Sequence, residues 1–329
     1  MSGEWHLTKI PKVMHVYFGG RMPWIRYLTI ATFKKHNPDW RVKFYYPDVV
    51  NPTKPWNTPE HKYEDDYEDF GHLAKTTADE AIMVDTAKMF GVSIPEVHRS
   101  DFLRWHLLST EGGLWSDMDI VYFKPISEVL FNTPGNAHID TCICMNHYGH
   151  SVGFLLASPN NLFFSEIKNK SKINQTGDSY QYMGATLCNR ILPIKQEKEK
   201  EKVRRPHHRP HHRYDTHREK TWVLTDNIYN IPMDVVYAYD AERMNHLFTK
   251  TDKSRFLQNS IGCHWYAGSA FAGVFLIRTN GGVCFNNVPL MEQLIMKINE
   301  DYVDIIGSSG TAKEETTPPK RLILGGLGW

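Results

Sequence analysis

The chain has 329 residues, 41% of them hydrophobic and 12% aromatic, which is enough for a sizeable core and excludes wholesale disorder. Lys and Arg number 38 against 37 Asp and Glu, and the net charge of +1 excludes a general nucleic-acid-binding surface. The balance is uneven, because Lys195 to Lys220 carries ten basic and five acidic residues, a local +5 set on an acidic-leaning remainder near −4.

Taken in chain order, Ile10 to Phe18 (IPKVMHVYF) is β-branched and aromatic and runs into Gly19-Gly20, which predicts a buried strand ending in a tight loop. Trp24 to His36 has a helical apolar period and closes at Asn37-Pro38, and Trp40 to Tyr46 alternates like a second strand. Strand, helix and strand in this order point to a parallel βαβ unit. Asn51 to Phe70 is polar and acidic, a surface excursion. Thr77 to Phe90 reads as a helix ending at Gly91, and Pro95 to Thr110 as a second helix with Pro in its first turn and Gly112-Gly113 at its end. Leu114 to Phe123 predicts a strand, and Thr141 to Met145 with Val152 to Ala157 continues the sheet.

Lys195 to Lys220 is a low-complexity insert, with blocks of charge, two Pro and five His at positions 207, 208, 211, 212 and 217. Such a segment buries too little surface to offset chain entropy and predicts a flexible loop, although its histidines also suit a metal. Order resumes after Thr221 through Val223-Leu224, Val235-Val236 and the apolar run Phe271 to Ile277, and residues 308–319 read as a loose segment of the tail. No stretch has signal-peptide character or the length of an apolar span. The five cysteines lack zinc-type pairing and read as free thiols. The expectation is a soluble, cytoplasmic chain, organised as a single catalytic domain plus the insert, without nucleic-acid partners and of open oligomeric state.

The sharpest chemical signal is RSDFLRWHLLSTEGGLWSDMDIVYFKP, Arg99 to Pro125. Asp117 and Asp119 stand at i and i+2 as a short strand emerges, so in an extended chain both carboxylates face one way. That arrangement suits a hard divalent cation, Mn²⁺ or Mg²⁺, that also takes phosphate oxygens. Asp101 and Arg104 lie three apart on the preceding helix, as a surface ion pair or as a polar face folded back beside the aspartates. The same Asp-x-Asp also fits a phosphatase of the haloacid dehalogenase type, or a structural pair in a non-catalytic carbohydrate- or metal-binding protein.

This block resembles the DXD-containing glycosyltransferase family typified by yeast alpha-mannosyltransferases and bacterial capsular-sugar transferases, with clostridial glucosylating toxins as distant relatives. IPKVMHVYFGG is similar to that family's opening, and GCHWYAGS at Gly262 to Ser269 to its late His-x-Trp block. The resemblance implies an α/β fold of GT-A (Rossmann-like) type with a mixed central sheet, and transfer of a sugar from a nucleoside diphosphate sugar, uridine favoured over guanosine, to a glycan or other hydroxyl acceptor with retention. It also implies a bacterial or viral polysaccharide pathway. Carried over by position, Asp119 would bind the metal and Asp117 the ribose and metal sphere, with His264 completing the site. Asp101, Arg104 and Arg99 would hold the donor, and Val16, Tyr17 and Phe18 would lie against the base, with Trp265 and Ser269 nearby. Departures fall on the acceptor side: Val152 replaces a polar residue in Ser151-Val152-Gly153, Met183-Gly184-Ala185 only echoes a Gly-Pro, and Ala270-Phe271 stands where a second Trp is usual. No nucleophile or base stands out, and Asn146, His147 and Asp178 are candidates by location alone.

Overall fold

The structure, a computed structural model, describes residues 6–51, 67–89, 94–129, 134–146, 149–173, 179–191, 226–249, 260–279, 290–299 and 320–322. The insert at 195–220, Val223-Leu224, the tail segment 308–319, His147, Asp178 and Cys284 lie outside them. The strands are β1 (Val13–Tyr17), β2 (Arg41–Pro47), β3 (Glu80–Val84), β4 (Gly113–Ser116), β5 (Ile120–Tyr122), β6 (Thr141–Asn146), β7 (Gly149–Ala157), β8 (Ile228–Ile231), β9 (Gly262–His264) and β10 (Lys320–Leu322). The helices that shape the core are α1 (Trp24–His36), α2 (Gly71–Thr77), α3 (Glu96–Thr110), α4 (Leu162–Ile173), α5 (Ala185–Ile191), α6 (Asn245–Thr249), α7 (Ala270–Arg278) and α8 (Leu290–Asn299).

Among the described residues eight strands form one mixed sheet in the order β10-β3-β2-β1-β4-β7-β6-β8. The half from β10 to β4 is parallel, β7 runs antiparallel to both β4 and β6, and β8 is parallel to β6. The fold class is therefore α/β with a mixed central sheet, as expected. β1 lies between β2 and β4, with Val13 opposite Arg41 and Met14 opposite Leu114. Buried on both faces, its side chains alternate between two cores. Met14 and Val16 join Ile25, Leu28, Val42, Phe44 and Leu114 on the α1 side, whereas Tyr17 joins Tyr45, Trp115, Phe102 and Trp105 on the α3 side. The parity persists in β7, where Phe154 and Leu156 take the first side and Leu155 and Ala157 the second, giving a helix–sheet–helix sandwich.

Two expectations are corrected. Thr77 to Phe90 is not one helix. α2 ends at Thr77, Glu80–Val84 is strand β3, paired in parallel with β2, and Thr86–Met89 is a single helical turn. Ile82 and Val84 alternate inward, a period-2 pattern that the flanking helical residues obscure. Leu114 to Phe123 is likewise two strands, β4 and β5, broken at residues 117–119, and β5 leaves the main sheet to pair antiparallel with β9. The turn between α3 and β4 behaves as read. Gly112 and Gly113 have φ of 68° and 94°, and a Cβ on Gly112 would stand 2.5 Å from the Ala157 carbonyl, so only glycine fits. Cys142, Cys144, Cys188 and Cys263 are free and buried.

Candidate active site

The site is built where four pieces meet: the end of β1, the α3 face that Gly112-Gly113 folds back, the break between β4 and β5, and the loop after β9. Asp117 is fixed first. Its N–H donates to the Gly153 carbonyl at 2.7 Å, and its Oδ1 accepts from Trp115 Nε1 and Arg104 Nη2, both at 2.8 Å. Arg104 uses its other nitrogen, Nη1, on Asp101 Oδ1 at 2.7 Å, so one buried guanidinium bridges both carboxylates. Burial pushes the Asp101 carboxyl up to about 7, Arg104 drawing it down and Asp117 raising it.

Asp119 is held from the opposite side. Its carbonyl accepts from the Trp265 N–H at 2.9 Å and its Oδ2 from the Ala267 N–H at 3.1 Å. The β5–β9 pairing sets Ile120 opposite His264 and leaves His264 Nε2 3.1 Å from Asp119 Oδ1. Burial opposes ionisation of Asp119, but His264, Arg26 and the Ala267 N–H together hold its carboxyl well below the usual range. The two aspartates do converge, through a turn rather than an extended strand as the spacing suggested.

Asp117, Asp119 and His264 each offer one ligand atom, all within 4.8 Å of one another. The donor set of two carboxylates and an imidazole suits Mn²⁺ or Mg²⁺ with positions left for phosphate oxygens. A second observation supports the fit: Asp119 Oδ1 is buried and has no hydrogen-bond partner among the described residues beyond its 3.1 Å ion-pair contact with His264 Nε2. The Tyr266 N–H approaches His264 Nδ1 at 3.3 Å, which favours the proton on Nε2. Ligation through Nε2 needs the other tautomer and forgoes this long bond, a loss of about 1 kcal/mol or less.

Two cavities meet at the aspartates. A narrow cleft of about 140 Å³ is lined by Tyr17, Phe18, Arg26, Glu96, Ser100 and Arg104, and a wider cavity of about 670 Å³ by His150, Val152, Gly153, Tyr237, His264 and Ser269. Asp117, Asp119, Tyr180 and Gly268 line both.

Of the residues singled out by sequence, Tyr17, Phe18, Arg104, Asp117, Asp119, His264 and Ser269 reach these cavities. Four do not. Val16 points into the α1-side core. Arg99 is buried, donating to Glu96 Oε1 and the Val49 carbonyl, both at 2.7 Å. Asp101 lies behind Arg104, pressed against Gly184. Trp265 is buried under Arg26, whose guanidinium is 5.3 Å from its ring and 5.3 Å from that of Phe18. Ser269 also caps α7, accepting from the Ala272 N–H. Asn146 is the last residue of β6. Sequence reading missed Arg26, whose one signal is a lone charge within the apolar run of α1, and Tyr237, which carried none.

Residues 26–136 match the family profile described as the glycosyltransferase sugar-binding region containing DXD motif, a span that includes Arg26, Asp101, Arg104, Asp117 and Asp119. No curated protein matches the chain in sequence. Among solved structures, the chain is similar to the glycosyltransferase GlyE of Streptococcus pneumoniae TIGR4, at 12% identity over 90% of this chain and 64% of that one, with a TM-score of 0.45. It thus spans under two thirds of GlyE. It is also similar to the galactosyltransferase LgtC solved with donor and acceptor sugar analogues, at 9% identity over 86% and 99% of the two chains and a TM-score of 0.41. The PaToxG glycosyltransferase matches at 16% identity over 56% and 68%, with a TM-score of 0.39. Among the described residues no helix is long and apolar enough to cross a membrane.

Proposed function

We propose that this chain, which carries a DXD-motif glycosyltransferase domain, transfers a sugar from a nucleoside diphosphate sugar to a hydroxyl of a glycan or similar acceptor, with a divalent cation as cofactor. The observation that carries the reading is the placing of Asp117, Asp119 and His264 where a narrow aromatic cleft opens into a wider cavity. Nucleotide in the cleft and sugar in the cavity would put the diphosphate at that junction. Tyr17 and Phe18 would lie against the base. Asp117, Asp119 and His264 would hold Mn²⁺ or Mg²⁺, which supplies Lewis-acid stabilisation of the leaving diphosphate.

Arg26 and Arg104 add fixed positive charge on the cleft side of the junction, in a site whose dipoles are already oriented. Arg104 is orientated by its two carboxylates, so Asp101 is a positioning residue. The carboxylates lining the wider cavity, among the described residues, are Asp117 and Asp119 alone. Both would be taken up by the cation. The phosphatase reading asks Asp117 to act as nucleophile, whereas residues 26–136, which include it, match a glycosyltransferase profile.

The test is a panel of uridine and guanosine diphosphate sugars, read by thermal shift and by hydrolysis with Mn²⁺. The expected result is Mn²⁺-dependent hydrolysis of at least one, abolished by Asp119→Ala and kept when residues 204–217 are deleted. Turnover of a phosphomonoester with no stabilisation by any nucleotide sugar would sink the proposal.

A further inference from the structure

Tyr237 is a buried phenol whose hydroxyl finds no hydrogen-bond partner among the described residues. A buried hydroxyl left unpaired costs about 1–3 kcal/mol, so its retention calls for an occupant that supplies the missing partner. The ring is held for that purpose. Its backbone N–H donates to the Met233 carbonyl at 2.7 Å, and its face rests on His264 at 4.8 Å between centroids. The residue lines the wider cavity and not the nucleotide cleft.

Gly153 marks where the hydroxyl oxygen lies. A Cβ built on that glycine would stand 2.9 Å from Tyr237 Oη and 2.8 Å from Asp117 Oδ2. The two oxygens therefore converge over a strand position without a side chain. Asp117 Oδ1 is taken by Arg104 and Trp115, which leaves Oδ2 as the oxygen turned to this space. A phenol donor beside a carboxylate acceptor matches one kind of group well: a hydroxyl, which accepts from the first and donates to the second.

We propose that Tyr237 is a specificity-determining residue, its Oη donating to a hydroxyl oxygen of the transferred sugar on the cavity side of Asp117. The inference rests on the glycosyltransferase reading and goes beyond it in assigning a sugar contact to a residue outside the DXD block.

The experiment compares wild type with Tyr237→Phe in Mn²⁺, using whichever of UDP-glucose, UDP-galactose, UDP-N-acetylglucosamine or GDP-mannose the wild type hydrolyses fastest. Three quantities are read: kcat/KM for that sugar nucleotide, calorimetric Kd for its nucleoside diphosphate, and Tm without ligand. The expected result is a 10- to 100-fold fall in kcat/KM, diphosphate affinity within twofold of wild type, and an equal or higher Tm, since removal of an orphaned hydroxyl relieves the free protein. Unchanged kcat/KM overturns the inference alone. An equal loss of diphosphate affinity, or a lowered Tm accompanying the loss, overturns it in favour of a diphosphate or structural role. Wild type inert towards all four sugar nucleotides overturns the underlying reading and this inference with it.

Discussion

Asp101→Asn removes a titration that the buried site makes expensive. In the folded chain burial lifts the Asp101 carboxyl from 3.8 to about 7. A group with a raised folded pKa contributes stability that is complete below the unfolded value and disappears as pH rises through the folded one. Asp101 therefore favours the folded state most below pH 4, and that contribution is lost by about pH 8. Between pH 5 and pH 7 the slope falls from nearly ~1.36 kcal/mol per unit to about half that at the folded pKa, so wild type should lose about 2 kcal/mol across that interval through this residue. His15 and His150 act oppositely. Burial lowers both to about 4 from 6.5, so their contribution is present above 6.5 and lost as pH falls. Wild type alone mixes these opposing slopes. Asn preserves the acceptor for Arg104 Nη1 and leaves both histidines untouched, so the difference between the two proteins isolates Asp101. Urea denaturation of each at pH 5 and pH 8 measures it, and the variant should gain about 2–3 kcal/mol relative to wild type at the higher pH. Parallel pH dependence, to within about 0.5 kcal/mol, would refute both the perturbed carboxyl and the burial argument behind it.

Mn²⁺ at a hundred times its dissociation constant should stabilise wild type by about 2.7 kcal/mol. Asp119→Asn, which keeps an acceptor for the Ala267 N–H, should erase that thermal shift with little change in metal-free Tm, and chelation should abolish sugar-nucleotide hydrolysis. Arg104→Ala leaves the buried Asp101 and the half-buried Asp117 without their cation and should cost about 3–5 kcal/mol in denaturant unfolding. Arg104→Lys restores charge but not the fork, and should recover stability more than activity. Arg26→Ala should raise KM for the donor about tenfold while kcat falls less, because the guanidinium held between Phe18 and Trp265 borders the nucleotide cleft; an unchanged KM would remove it from the site. Gly153→Ala should lower kcat/KM at least tenfold and cost about 1–3 kcal/mol of stability, since the new methyl presses on the held Asp117 carboxylate and the buried Tyr237 hydroxyl.

What could be read from the sequence depended on whether the information was local. The β1–α1–β2 unit, α3 and its Gly-Gly stop are written in short-range patterns, and each formed as read. β3 was hidden because Glu80–Val84 is framed by helix-compatible residues, and only its pairing with β2 and β10 decides the conformation. The DXD block identifies the two carboxylates of the candidate metal site but not the route by which they meet. The convergence of Asp117 and Asp119 depends on β5 leaving the sheet for β9, a partner more than 130 residues further along. Residues whose role comes from such long-range closure, Arg26 beside Trp265 and Tyr237 over Gly153, share no window of sequence with the motif they serve. Conversely, Arg99 and Asp101 sit inside the motif but line neither cavity, because the face of α3 that does so carries Val97, Ser100 and Arg104, at i, i+3 and i+7. Proximity in sequence thus marked the segment that carries the candidate site, whereas the side chains that face the two cavities were selected by how the sheet breaks around residues 117–119.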